Sequence, residues 1–427
     1  MSSTTAPASR FRLVPMRPRD PHEAGRTAST LELFFDLVFV VAVSIASAQL
    51  HHSLTDAHVV DGLAAYGIVF FGIWWAWMNF TWFATSFDTD DWLYRVLTFI
   101  QMAGVLVLAA GIEPAFVDGD YALLVLGYVV MRVAMVAQWL RASRSAGPSH
   151  RATQIYAAGI AIVQVLWLLM LALPDTVANV VLVVLIAAEL AVPIAAENRG
   201  ATPWHPHHIT ERYGLFTLIL LGESLLGSAN AIIEALHDNK ALGPLISISV
   251  LTLVVTAALW WIYFWAPHYE AITSFASSVR YGYVHYFVFA AAGALSAGIE
   301  VQIDAITGHT KLSDIAAACT ISVPVAVFVF GIWWIAMRDN ADPVVNITVP
   351  IGAGLVLLDP LVPVPFMVTA AVMMMLVVVL VLHPPVPRRS RSSDSRGSAQ
   401  LRGFQRHRPP PINACDVLIC RSAAIRF

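Results

Sequence analysis

Long apolar runs, separated by short polar turns, follow one another along almost the whole chain. Crossing a bilayer as a helix takes about 20 mostly apolar residues. Runs of this kind occur near residues 31–50, 62–83, 96–116, 121–140, 153–173, 176–196, 210–234, 244–266, 281–300, 314–337, 344–359 and 363–383. The eleventh, VVNITVPIGAGLVLLD, is the shortest and carries glycine. Turns such as RSAGPSH and RGATPWHPHH punctuate the runs with Pro, Gly and charge. The pattern predicts an all-α integral membrane protein of about twelve transmembrane helices.

Composition agrees. The chain has 427 residues, of which 58% are hydrophobic and only 12% charged, with a mean hydropathy of +0.70. A soluble domain carries about 25% charged residues, so a soluble globular class is excluded. The formal net charge of −3 says little, because the charges are unevenly placed. With twelve spans, one side receives Arg10, Arg12, Arg17, Arg19, Arg26, Arg95, Arg141, Arg144, Arg151, Arg199, Arg212, Arg280, Arg338 and an arginine-rich tail. The other receives Lys240 and Lys311. By the positive-inside rule this predicts a multi-pass inner-membrane protein with both termini cytoplasmic.

The segment 1–30 is polar and basic, with no apolar core of its own, so no cleavable signal peptide is expected. Residues 384–427 are rich in Pro, Ser and Arg and predict a disordered cytoplasmic tail. Cys319, Cys415 and Cys420 form neither a disulfide framework nor a metal-ligand spacing.

An internal repeat is visible. GIWWAWMNFTWF at Gly72 resembles ALWWIYFWAPHY at Ala258, and VLVLAAGIEPAF resembles AGALSAGIEVQI. Trp74 and Trp260 are related by an offset of 186 and Glu113 and Glu300 by one of 187, which also carries Asp36 onto Glu223. Six spans separate equivalent points, so the halves run in parallel topology, an arrangement familiar in secondary transporters. The expected organisation is a basic N-terminal segment (1–30), a first six-helix repeat (31–196), a cytoplasmic linker (197–209), a second repeat (210–383) and the tail (384–427).

ELFFDLVFV near the N-terminus, ERYGLFTLILLGES midway and YGYVHYFVFAAAGALSAGIE later are similar to motifs of the bacterial low temperature requirement A family. The resemblance covers about residues 28–383 and leaves out INACDVLICRSAAIRF at the end. It implies a multi-pass membrane protein. The family is named for a growth phenotype in the cold, so the resemblance implies no substrate.

Ionisable residues inside the runs carry the functional expectation, because lipid exposure of a charge is so unfavourable. Glu32 and Asp36, four positions apart, share one face of the first run. Glu189 lies in the sixth run and Glu223 in the seventh; Arg132 is the one base well inside a run. The expected site is a polar cavity between the halves, shared by Asp36 and Glu223, with Arg132 in reach and Glu32 at its mouth. Such a group suits a proton or cation relay, and equally a buried ion pair that fixes helix register. Glu113 and Glu300, at the outer ends of their runs, and Glu211 and Arg212, in the cytoplasmic turn with which the seventh begins, are secondary candidates.

The runs Trp74–Trp75–Ala76–Trp77, Trp260–Trp261 and Trp333–Trp334 are expected in the interfacial aromatic belt or in packing. Asn79 and Gln101 read as interhelical glue. WHPHH (Trp204 to His208) reads as an exposed polar loop, with too few fixed ligands for a metal, and His51, His52 and His58 are weaker still. No phosphate loop, GxSxG or HExxH occurs. The leading expectation is an ion- or proton-coupled secondary transporter of a small substrate in the lipid bilayer, without cofactor, bound metal or nucleic-acid partner. A membrane-embedded enzyme acting on lipid or isoprenoid, with the acids as general acid–base groups, and a structural or regulatory membrane protein are the alternatives.

Overall fold

The computed structural model describes residues 13–238, 242–362 and 366–386. Arg10, Arg12, Lys240, Cys415, Cys420 and the arginine-rich tail read as disordered from residue 387 on lie outside the described residues. The helices are α1 (Thr30–Thr55), α2 (Val59–Phe87), α3 (Trp92–Ala110), α4 (Ile112–Val117), α5 (Ala122–Ser143), α6 (His150–Met170) and α7 (Asp175–Glu197). After them come α8 (Pro206–Asp238), α9 (Leu242–Trp265), α10 (Phe275–Thr307), α11 (Asp314–Ile332), α12 (Pro343–Val356) and α13 (Met367–Leu382). No strand occurs among the described residues.

Every apolar run falls on a helix. Among the described residues nine helical stretches are long and apolar enough to cross a membrane: α1, α2, the α3–α4 stretch, α5, α6, α7, α9, α10 and α11. The fold is therefore that of a membrane-embedded, multi-pass helical protein. Helix α8 is long but more polar, and α12 and α13 are short at 14 and 16 residues.

Local sequence fixes several boundaries. Ser29 caps α1 in a capping box: its hydroxyl accepts the Glu32 amide, and the Glu32 carboxylate accepts the Ser29 amide at 2.8 Å. Asp91, Ser274, Ser313 and Asp342 cap α3, α10, α11 and α12 in the same first-turn manner. Helix α11 ends in a π-type turn over Trp333–Met337.

Over residues 13–29 the basic N-terminal segment is packed against the helices. Met16 is buried, and the Arg19 amide bonds the Ser86 carbonyl at 2.9 Å. The Arg26 guanidinium donates to the Thr85 and Ala84 carbonyls in the last turn of α2 at 2.6 and 3.0 Å, the second of which also accepts the Asp88 amide. This segment, the α2–α3 turn, the end of α5 and the α7–α8 loop all meet at one end of the bundle, through Val14–Asp91, Arg141–Asp91 and His205–Glu23 contacts.

Asp88, just beyond α2, faces Arg19 at 3.3 Å. Burial and then the negative charge of Glu32 push its carboxyl up to about 6, and Arg19 opposes them. A raised carboxyl pKa favours the folded state only while the group is protonated. That contribution is complete below the ordinary value near 4 and is lost as pH rises through about 6. Asp88→Asn should therefore raise the melting temperature in detergent, with a gain that grows from pH 4 to pH 6 and is flat above. The gain should not exceed about 3 kcal/mol. A gain independent of pH would show that Asp88 is not held in this way.

Candidate functional site

Two i,i+4 pairs face each other across parallel helices. Glu32 and Asp36 stand one turn apart on α1, and His208 and Arg212 one turn apart on α8. Glu32 meets His208 and Asp36 meets Arg212, both across a sequence offset of 176. Further along, Ser44 meets Glu223 across 179, so the helices keep the same direction and nearly the same register.

All four side chains are buried. The Arg212 guanidinium bridges both acids: Nε and Nη2 go to Asp36, with Nε at 3.0 Å from Oδ2, and Nη1 reaches Glu32 Oε1 at 2.9 Å. Such a fork is the charge-assisted geometry that arginine offers and lysine does not. The Trp77 indole donates to Asp36 Oδ1 at 2.7 Å. His208 Nε2 stands 3.2 Å from Glu32 Oε1, and its Nδ1 has no partner among the described residues. The Phe80 ring lies 5.8 Å from the guanidinium carbon. Two carboxylates thus share one fixed cation. Neutrality is reached only when His208, or one of the acids, takes a proton.

A second polar group lies further along α1 and α8, where α10 joins them with Glu300 and Asp304. Ser44 donates to Glu223 at 2.7 Å; His51 bridges Glu300 at 3.2 Å and Asp304 at 2.7 Å; Thr55 donates to Asp304 at 2.9 Å. Glu223 and Glu300 are half-buried. The stretch of α1 from Asp36 to Ser44 spans about 12 Å. Phe39 and Val43 are buried in that interval. The Trp77, Phe216 and Phe289 rings pack together at 4.5 to 5.7 Å, immediately beyond the Trp77–Asp36 bond.

Several expectations change. Asp36 does not share a cavity with Glu223; the acids sit some turns apart along the helix pair, with the aromatic layer next to Asp36. Arg132 is not the counter-charge of Asp36. It pairs with Glu189 at 3.2 Å, over the Tyr128 ring, in a separate buried group on α5 and α7. Arg212 does not lie in a solvated turn but is buried and holds Asp36. Glu211, its neighbour, accepts the Ala28 amide at 3.1 Å. Glu113 is exposed, whereas Glu300 is engaged with His51.

Of the two places expected for the first tryptophan run, it takes packing rather than the interfacial belt, because Trp74, Trp75 and Trp77 are all buried. Trp75 donates to Glu189 at 2.9 Å and Trp77 to Asp36. Residues i and i+2 point to opposite sides of a helix, so α2 serves one acid on each flank. Trp260, Trp261 and Trp334 are exposed and do fit a belt. WHPHH is not an exposed loop throughout, since His205 and His208 are buried beneath the N-terminal segment. Asn79 bonds the Trp75 carbonyl within α2, and Gln101 bridges to Gln138 on α5 at 3.1 Å. Among the described residues no group of three or more His, Cys, Asp or Glu is disposed to hold a metal.

Sequence reading named Trp77, His208 and His51 but gave them no place among the acids, and it did not single out Asp304 or Ser44. The signal for His208 was present: HHITER repeats the i,i+4 spacing of ELFFD with opposite charge.

The same elements locate the chain among known proteins. An uncharacterized protein of Rhizobium meliloti (strain 1021) is 32% identical over 248 residues, covering 56% of this chain and 58% of that protein. The chain therefore spans less than two thirds of that relative's length. Residues 27–382 match the profile described as bacterial low temperature requirement A protein. That stretch includes both helices of the Arg212 cluster, and by it the chain belongs to the bacterial low temperature requirement A family.

Proposed function

We propose that this protein is a proton-coupled secondary transporter of a small solute in the bacterial inner membrane, with both termini cytoplasmic. One observation carries the reading. Helices α1, α8 and α10 hold two ionisable groups, one on α1 and α8 that is short of a positive charge and buried, the other completed by α10, half-buried and acidic, with a hydrophobic layer between them. A proton-coupled carrier needs groups whose charge balance turns on one proton and a barrier that prevents free leak. His208, with its unpartnered Nδ1, is the proton acceptor in this scheme; Arg212 releases or retains Asp36 according to its state.

A twelve-span arrangement is supported by the alternation of helix ends. Lys311 and Thr55 meet at one end, while Thr85, Glu23 and His205 meet at the other. The repeat is supported by neighbour order. Helix α1 packs on α2 and α3, α3 on α5, α5 on α6 and α6 on α7; likewise α8 packs on α9 and α10, α10 on α11, α11 on α12 and α12 on α13. Packing between the halves is less symmetric. Helix α1 lies along α10, without a comparable α8–α3 contact among the described residues.

Proteoliposomes on a solid-supported membrane test the coupling, with a panel of small amines, amino acids and sugars at pH 5.5 and 7.5. At least one solute should drive a current in the wild type. His208→Gln should fold normally and lose the pH dependence of that current. Absence of any solute-driven current in folded wild-type protein, or an unchanged pH profile in His208→Gln, would defeat the reading.

A further inference from the structure

At the end of the bundle that carries the N-terminal segment, a partly open cavity lies between α2, α5, α6, α7 and α10. Its volume is about 50 Å³, space for roughly three to five waters or for one compact headgroup. The wall contains Trp82, Trp139, Trp204, Tyr156 and Tyr283, together with one carboxylate, Glu197. Among the described residues no lysine, arginine or histidine lines it.

We propose that this cavity binds a small organic cation of the quaternary or fully substituted ammonium class, held by the aromatic wall and balanced by Glu197. Aromatic rings attract a cation through their quadrupoles, most strongly when water is excluded. Trp82 and Trp204 meet edge to face, with centroids 6.2 Å apart and planes at 61°, which makes a corner rather than a closed stack. Trp139 lies flat on Tyr156 at 4.2 Å, a rigid second wall. Tyr283 is fixed by its hydroxyl on the Leu190 carbonyl at 2.8 Å.

Glu197 supplies the charge. Its oxygens accept from the Tyr156 hydroxyl at 3.0 Å, the Thr202 amide at 3.0 Å and the Thr202 hydroxyl at 2.7 Å. All three donors are neutral. They orient the carboxylate without cancelling its charge, and no described basic side chain forms an ion pair with it. Gly282 brings α10 close to this wall, since a Cβ there would meet the Tyr213 hydroxyl at 3.3 Å and the Met78 sulfur at 3.4 Å. A headgroup without N–H donors suits the wall, because most of its area is hydrocarbon ring rather than acceptor oxygen.

The same wall touches the buried ion cluster. The Trp82 indole nitrogen donates to the Tyr213 hydroxyl at 3.2 Å, and the Tyr213 ring lies 4.9 Å from Trp77, the Asp36 donor. The inference itself concerns equilibrium binding and does not rest on the transport reading.

The test is calorimetric and fluorescence titration of the purified full chain in detergent at pH 7.5, with choline and its neutral isostere 3,3-dimethyl-1-butanol as probes. Choline should bind saturably and quench tryptophan emission; the neutral alcohol should bind at least tenfold more weakly. Glu197→Gln should weaken choline at least tenfold. Trp204→Leu, in the α7–α8 loop, should weaken it severalfold at an unchanged melting temperature. If Glu197→Gln fails to fold, Trp204→Leu and the choline-to-alcohol ratio still decide. Equal binding of choline and the alcohol would make the cavity a plain apolar pocket and overturn the proposal. Absence of saturable choline binding, or unaltered binding in folded Trp204→Leu, would overturn it as well.

Discussion

Arg212→Gln should lower stability by about 3–5 kcal/mol, the range found when one partner of a buried ion pair is removed. The substitution leaves Glu32 and Asp36 buried, one turn apart on α1, without the fork that bridges them. Glutamine can donate to one oxygen but cannot supply the charge. Expression of folded protein and the detergent melting temperature should both fall steeply. Adding Asp36→Asn should recover a large part of the loss, because one of the two stranded charges disappears and the Trp77 indole keeps an acceptor. Non-additivity of this kind is the signature of groups that act as one network. Arg132→Gln, which strands only Glu189, should be damaging by itself and indifferent to Asp36→Asn, since the two clusters share no partner. If Arg212→Gln melts at the wild-type temperature, the cluster is not the buried network described.

The second large effect is steric. A Cβ on Gly298 of α10 would land on the Thr320 carbonyl of α11, and one on Gly111, at the start of α4, would land on the Leu124 amide of α5. Both obstacles are backbone, which cannot rotate aside. Small residues at such crossings let helices approach closely and are characteristic of membrane bundles. Gly298→Val should thus cost more than the usual overpacking range of about 1–3 kcal/mol and abolish folded protein in detergent. Gly111→Val should behave alike. Gly354→Val, at a position with open space, should be nearly silent and serves as the control. Gly111 and Gly298 are also related by the repeat offset of 187. Equal damage at both sites would agree with equivalent helix crossings in the two halves.

The acids of the candidate site were conspicuous in the sequence because a carboxylate in an apolar run is unfavourable unless something offsets it. What offsets it was not conspicuous. Arg212 sits among polar neighbours in RGATPWHPHHITER, so its composition reads as a loop. The folded chain continues α8 back to Pro206 and so carries Arg212 inward beside Asp36. Isolation in an apolar run marked Arg132 as the counter-charge of an intramembrane acid, and it does pair with one, Glu189. It is not within reach of Asp36, because α5 lies against α6 and α3 and the acid it meets comes from α7.

By itself the sequence determined what depends on local pattern and on the solvent. Hydrophobic run length set the helical, multi-pass class and located each helix, because a bilayer demands internally satisfied backbone. Ser29 with Glu32 fixed the start of α1, and the motifs near Glu32, Glu211 and Glu300 carried the family. Which charge meets which could not be read that way. Pairing between α1 and α8 depends on the distance, register and rotation of two helices that lie far apart in the chain. Side-chain packing across α2 set these, with Trp77 directed to Asp36 and Trp75 to Glu189. A tryptophan run has the same composition at an interface and in a core. Only the tertiary structure decided that this one lies inside, where two of its three indole donors, those of Trp75 and Trp77, each meet a buried acid.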